Sequence, residues 1–165
     1  MGQPMFRSPD QALAFAFRMR NSSVISIPSA TYIANKTDNE STSDRLTHYD
    51  LHAQVGMIFN FLERRPEMEQ LAAIYLHGAI EEQAAAAKKI TDKYRSQFQK
   101  YRLNDEQIVT AMLGKTVRDV RDKCGLTQHK AWKFRREVAD LIQPHMNSLM
   151  DSLWNWLQVS EDDVI

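Results

Sequence analysis

Residues 115–137, KTVRDVRDKCGLTQHKAWKFRRE, contain the pattern that decides the fold. Apolar side chains recur there at the spacing of one helical face, at Val117, Val120 and Cys124. Gly125 then supplies a turn, because glycine reaches positive φ without steric cost. Thr127 is placed to cap a second helix, since its hydroxyl can accept a hydrogen bond from a free N–H of the first turn. Two helices joined by a glycine-containing turn predict a helix-turn-helix.

The outer face of the second helix is polar and basic, whereas Ala131, Phe134 and Val138 form its inner face. Gln side chains can pair with adenine, and Arg or Lys with guanine, so this face suits DNA binding. The alternative is a solvated basic face on an ordinary helical hairpin. The candidate DNA-binding residues are Lys115, Arg118, Thr127, Gln128, His129, Lys130, Trp132, Lys133 and Arg136.

The charges of the chain are unevenly distributed along the sequence. Lys and Arg number 21, as do Asp and Glu, yet residues 88–136 hold 14 basic and 5 acidic residues, a local excess of +9. The remainder of the chain therefore has a net charge of −9. This asymmetry favours a polyanion-binding half, with chance clustering on a solvated helix as the alternative. The candidate contacts to a nucleic-acid backbone are Lys88, Lys89, Lys93 and Arg95.

The rest of the chain predicts an all-α helical bundle with an extended loop near the N-terminus. We divide it into residues 1–44, with a helix from about Pro9 to Arg20 and a long Ser/Thr/Asn-rich loop, and a helical domain over residues 45–165. The domain is predicted to contain helices at about 45–64, 66–77, 79–100 and 105–113, the helix-turn-helix at 115–142 and a C-terminal helix.

The C-terminal helix is rich in Met and Trp. We expect Pro144 to kink or stop the preceding helix, since proline lacks the backbone N–H. The following apolar stripe is predicted either to pack on residues 51–75 or to form an oligomer seam or docking face. It comprises Met146, Leu149, Met150, Leu153, Trp154 and Leu157.

Motifs of enzymes and metal sites are not found in the sequence. The single cysteine, Cys124, excludes an internal disulfide, and no Cys/His cluster has zinc spacing. His48 and His52 are four residues apart but have no third ligand nearby. No Gly-rich phosphate loop or nucleophile elbow occurs. We therefore expect a protein that is not an enzyme, uses no cofactor or metal and does not enter a membrane, and we expect it in the bacterial cytoplasm, associated with the nucleoid.

Two known groups of proteins resemble parts of this chain. Residues 116–141 resemble region 4 of bacterial sigma factors at Thr116, Val117, Val120, Leu126, Thr127, Ala131 and Phe134. The chain also resembles the phage Q-type transcription antiterminators, in particular their AlpA-like bacterial members. In that family a helix ends near a basic pair, a short helix closes on Y-x-x-G, and a helix-turn-helix follows. The matching segments here are Leu51–Arg65, Leu71–Gly78 and Leu113–Glu137.

The resemblance implies a DNA-binding antitermination factor. Such a protein binds duplex DNA near a promoter, loads onto RNA polymerase that is paused while it still holds sigma factor, and travels with it to suppress termination. A basic surface near the RNA exit channel would contact nascent RNA through its backbone. The alternatives are a conventional helix-turn-helix regulator that binds DNA as a dimer through its Trp-rich helix, and an assembly protein similar to small terminase subunits.

Overall fold

The computed structural model describes residues 6–21 and 48–162 of the 165-residue chain. Throughout these ranges the secondary structure is helical and no strand occurs, which confirms the predicted all-α fold. The predicted loop over residues 21–44 lies outside the described residues, except for Asn21. Within the two ranges, no helix combines the length and the apolar character that crossing a bilayer requires.

The chain groups into two compact units, residues 1–64 and 65–165. The first unit contains α1 (Pro9–Asn21) and α2 (His48–Glu63), which pack against each other. The start of α1 agrees with the sequence prediction, and Ser8 Oγ accepts a hydrogen bond from the Gln11 N–H at 3.2 Å. The rings of Phe17 and Phe59 meet edge to face at 5.1 Å between centroids. Because α2 groups with α1, this division falls later than residues 44/45, where the sequence suggested a domain boundary.

In the second unit, residues 65–162 form six helices and a 3-10 turn. α3 packs on α4 and on the long helix α8, while α6 packs on α4 and α7, and α7 on α8. Asn104 caps α6 through a reciprocal capping box with Gln107. Gly78 follows the last residue of α3, where the sequence predicts that this helix ends. The bounds are α3 (Glu67–His77), α4 (Ile80–Lys93), α5 (Arg95–Phe98), the turn Gln99–Tyr101, α6 (Asp105–Leu113), α7 (Val117–Cys124) and α8 (Gln128–Asp162).

The helix predicted over residues 79–100 is wrong beyond Lys93. α4 ends at Lys93, and a short helix and the 3-10 turn follow. This break turns two aromatic rings toward Phe134: Phe98 lies 5.4 Å and Tyr101 5.2 Å from it, between centroids. Arg102 then adopts a left-handed conformation, with φ of 55°, which ends the turn. The burial of these rings is the physical reason that the helix does not continue.

Pro144 does not stop the helix that contains it. α8 runs without interruption from Gln128 to Asp162, so the expected division into two helices is wrong. Proline in a helix interior costs about 3 kcal/mol, but an unbroken apolar stripe passes on either side of it. The buried members of that stripe are Phe134, Val138, Ile142, Met146, Leu149 and Leu153. Burial of this stripe offsets the cost of the missing N–H.

Candidate nucleic-acid interface

The two helices of the predicted helix-turn-helix begin and end at residues that satisfy their free backbone groups. Thr116 Oγ1 accepts a hydrogen bond from the Asp119 N–H at 3.1 Å, and Thr127 Oγ1 accepts one from the Lys130 N–H at 3.2 Å. Between the helices Gly125 has a φ of +68°, and its N–H donates to the Arg121 carbonyl at 2.9 Å. The turn at Gly125 and the cap at Thr127 agree with the sequence prediction. The arrangement of α7, turn and α8 is compatible with a helix-turn-helix.

The inner stripe of this hairpin is buried as predicted. Phe134 has no exposed surface, and its ring lies against Phe98 and Tyr101 from the turn after α5. Gly114 permits a close approach, because a Cβ there would lie 2.8 Å from Val120 Cγ2. The buried stripe residues are Val120, Cys124, Leu126, Ala131, Phe134 and Val138, and Val117 is half-buried. Burial of this stripe fixes which side of α8 faces solvent.

All nine candidate DNA-binding residues are exposed. Two of them, Arg118 and Gln128, meet at an open hollow of about 430 Å³ between the starts of α7 and α8, together with Thr116 and Arg121. On α8 the indole of Trp132 is 48% exposed and has two aromatic or cationic neighbours on its own helix. The His129 ring stacks on the Trp132 indole with 6.3 Å between the two centroids. The Arg136 guanidinium carbon lies 5.3 Å from the centroid of the same indole.

Cations of the hairpin differ in whether an acidic side chain neutralises them. Arg118 and Arg121 both approach Asp122, at 3.8 and 3.1 Å. Among residues 6–21 and 50–159, by contrast, no carboxylate forms an ion pair with four exposed lysines, Lys115, Lys123, Lys130 and Lys133. The unneutralised positive charge therefore lies mainly on α8 and before the start of α7.

Cations on and after α4 are more fully paired than the sequence suggested. Lys93 Nζ lies 2.8 Å from Glu67, and this contact lowers the pKa of the Glu67 carboxyl. Arg95 joins Asp92 at 3.1 Å and Asp105 at 2.7 Å. The pairs with Glu67 and Asp105 could not be found by counting charges along the sequence, because Glu67 is 26 residues from Lys93 and Asp105 is 10 residues from Arg95.

Lys88 and Lys89 stay exposed on α4, without an ion pair in the described part of the chain. Lys88 lines a groove of about 620 Å³ with Lys123 of α7, but Asp92, Asp105 and Glu106 line the same groove. Its mixed charge is less suited to a phosphate backbone than the exposed face of α8 is.

The buried hydroxyl and thiol groups of the second unit are held in their neutral forms. Tyr75 donates a hydrogen bond to the Met112 carbonyl, and burial raises the pKa of its hydroxyl to about 12. Burial also raises the pKa of the Tyr101 hydroxyl, and the neighbouring Glu137 carboxylate raises it further. The Cys124 thiol donates to the Gln107 carbonyl at 3.4 Å, and burial raises its pKa. Cys124 is thus a core residue, as the sequence indicated.

No group of three His, Cys, Asp or Glu side chains in the described residues could hold a metal ion. Comparisons with known proteins add no assignment: no protein-family model matches the chain, and no curated protein matches it. The resemblance to Q-type antiterminators and to sigma region 4 therefore depends on the motifs quoted above.

Proposed function

We propose that the protein is a DNA-binding transcription antitermination factor, which loads onto RNA polymerase at a promoter-proximal pause and suppresses termination. The observation that supports DNA binding most strongly is the outer face of α8. It exposes Gln128, His129, Lys133 and Arg136 around a half-exposed indole, Trp132. Trp and Arg are enriched where proteins bind partners, and here they lie side by side on one exposed face, which supports a binding role for it.

Charge on this face suits duplex DNA as the partner. Lys130 and Lys133 have no ion-pair partner among the described residues, so both are available to phosphates. Gln128 lies at the start of α8, where exposed backbone N–H groups and the helix dipole also favour phosphate. In a helix-turn-helix the start of the second helix is the part that enters the major groove, and Gln and Arg have the donors to distinguish base pairs there.

The antitermination part of the proposal depends on the resemblance to Q-type proteins. That family supplies RNA polymerase as a protein partner, sigma factor as part of the paused complex, and nascent RNA as a further contact. The part of the chain outside residues 88–136 has a net charge of −9 and would be repelled by DNA. This part is therefore available to bind a protein. Such a factor would work at the nucleoid of a bacterial cell, without a cofactor.

Binding and function are tested on one template. Duplexes are first selected from a random-sequence pool with the wild-type protein, and the enriched site is placed just downstream of a promoter and upstream of an intrinsic terminator. We expect the protein to raise the fraction of transcripts that pass the terminator in single-round transcription. The double variant Lys133→Ala/Arg136→Ala should lose both site binding and read-through, since each bidentate base contact is worth about 1–3 kcal/mol. If no sequence is enriched, the DNA-binding assignment is wrong.

A conventional dimeric regulator is the second candidate, and the end of α8 favours it. Val159 is 56% exposed, and Trp154 and Leu157 are only half-buried. Apolar side chains at the end of a long helix are suited to self-association. A dimeric regulator should protect two half-sites about 34–36 Å apart in a footprint. A dimeric regulator should also raise or lower total RNA and leave the fraction of transcripts passing the terminator unchanged. An assembly protein, by contrast, should form rings without any effect on transcription.

A further inference from the structure

Trp132 lies between two side chains that the proposed function also uses. The His129 ring is nearly parallel to the indole, with an interplanar angle of 24° and 6.3 Å between centroids. The Arg136 guanidinium carbon lies 5.3 Å from the same centroid. His129 and Arg136 are separated by seven residues, which is about 10.5 Å along a helix axis. His129 therefore lies one turn before Trp132 on α8, and Arg136 lies one turn after it.

The contact with the Trp132 ring restricts the motion of the Arg136 side chain, and the neighbouring lysines have no such contact. A guanidinium above an aromatic ring is held through its face, so the N–H donors at its edge stay available for a bidentate acceptor. Lys130 and Lys133 are exposed on the same helix, but neither has a ring contact or an ion pair in the described part of the chain. Arg136 is consequently the one of these three cations that is oriented before DNA arrives, and orientation in advance lowers the entropic cost of binding.

We propose that Trp132 is a positioning residue: it holds Arg136 extended from the outer face of α8 for duplex DNA, and it does not itself contact a base. This inference depends on the proposed DNA-binding function. The competing role is direct contact, in which the exposed part of the indole packs on a base or a thymine methyl group. The two roles differ in one measurable respect, because a positioning residue matters only while Arg136 is present.

The test is a double-mutant cycle for affinity to the duplex that the wild-type protein selects from a random pool. Arg136→Ala should weaken binding roughly 5- to 150-fold. Trp132→Ala should weaken it about 2- to 5-fold when Arg136 is present, and should have no further effect in the Arg136→Ala background. Trp132→Phe, which keeps an aromatic face, should restore most of the affinity, whereas Trp132→Leu should not. Lys130→Ala is the matched control: its effect should multiply with that of Trp132→Ala.

A second measurement does not depend on DNA. In the free protein, the Arg136 side-chain Nε–H should show restricted motion by 15N relaxation, and Trp132→Ala should release it while Trp132→Phe retains it. Equal mobility in wild type and Trp132→Ala overturns the proposal, as does a Trp132→Ala loss that multiplies with the Arg136→Ala loss. Failure of the wild-type protein to select any duplex would instead overturn the proposed function, before any variant is compared.

Discussion

Phe134 joins α8 to the aromatic residues that follow α4 in the second unit. Its ring is fully buried and lies against Phe98 and Tyr101, two residues that follow the end of α4. We expect Phe134→Ala to lower the free energy of unfolding by about 3–5 kcal/mol, because it removes both buried area and two ring contacts. Urea unfolding measures this loss. The adjacent, exposed Lys133→Ala is the control and should change stability by less than about 0.5 kcal/mol. Equal stability of the two variants would place Phe134 at the surface.

Tyr75 connects α3 to the last turn of α6. Its hydroxyl donates to the Met112 carbonyl, one of the groups that a helix end leaves without an intrahelical donor. We expect Tyr75→Phe to cost about 0.5–1.5 kcal/mol at pH 7.

Burial of the same hydroxyl predicts a pH dependence of stability. The folded pKa of Tyr75 is raised from 10.0 to about 12, so its contribution is complete below pH 10 and is lost as the pH rises toward 12. The stability difference between wild type and Tyr75→Phe, measured by urea unfolding, should therefore shrink between pH 10 and 12. A difference that stays constant over this range would show that the hydroxyl is solvated.

At the scale of elements, the sequence predicts what depends on local spacing and misses what depends on distant packing. Gly125 and Thr127 lie in the turn where local backbone rules place them, so the bounds of α7 and the start of α8 could be predicted. The end of α4 at Tyr94 has no glycine or proline that would mark it in the sequence. Helix α4 ends there because Phe98 and Tyr101 are buried against Phe134, which is more than 30 positions away. Pro144 gave the opposite error, since a local rule was outweighed by a continuous buried stripe.

The candidate site follows the same division. The period of α8 was enough to place Trp132, Lys133 and Arg136 on its outer face. The ion pairs of Lys93 with Glu67 and of Arg95 with Asp105 were not predictable, because these carboxylates come close only through the tertiary fold. The stacking of Arg136 on Trp132 had a signal in the four-residue spacing, which brings two side chains together on one helix.

Pro144 provides a prediction about α8 as an element. Its side chain is exposed, so Pro144→Ala removes little packing while it restores an N–H that can donate to the Asp140 carbonyl. We expect the variant to be more stable by as much as about 3 kcal/mol and to keep its helix content. Thermal unfolding followed by circular dichroism measures both quantities, with Gln143→Ala as a control at an adjacent exposed position. A lower melting temperature for Pro144→Ala would show that α8 requires the proline.

At the scale of the molecule, the basic surface should make DNA binding sensitive to salt. Each phosphate contact contributes a log–log slope of about −0.9 on duplex DNA. Lys130 and Lys133 are exposed on α8 and form no ion pair with any residue that the structure describes. Lys130→Glu/Lys133→Glu should therefore reduce the magnitude of the slope by the contribution of about two phosphate contacts. Lys88→Glu/Lys89→Glu is the matched pair on α4, and its effect should be smaller because acidic side chains line the adjacent groove. Equal effects of the two pairs would extend the DNA-binding surface to α4.

Read-through of a terminator tests the central claim most directly. Two templates are compared in single-round transcription: one has the selected binding site close downstream of the promoter, and the other has it far upstream. We predict that wild-type protein raises the fraction of transcripts passing the terminator on the first template only, although it binds both sites equally. Lys133→Ala/Arg136→Ala should have no effect on either template. If total RNA rises while the fraction passing the terminator does not change, the protein is a conventional regulator and the antitermination proposal is wrong.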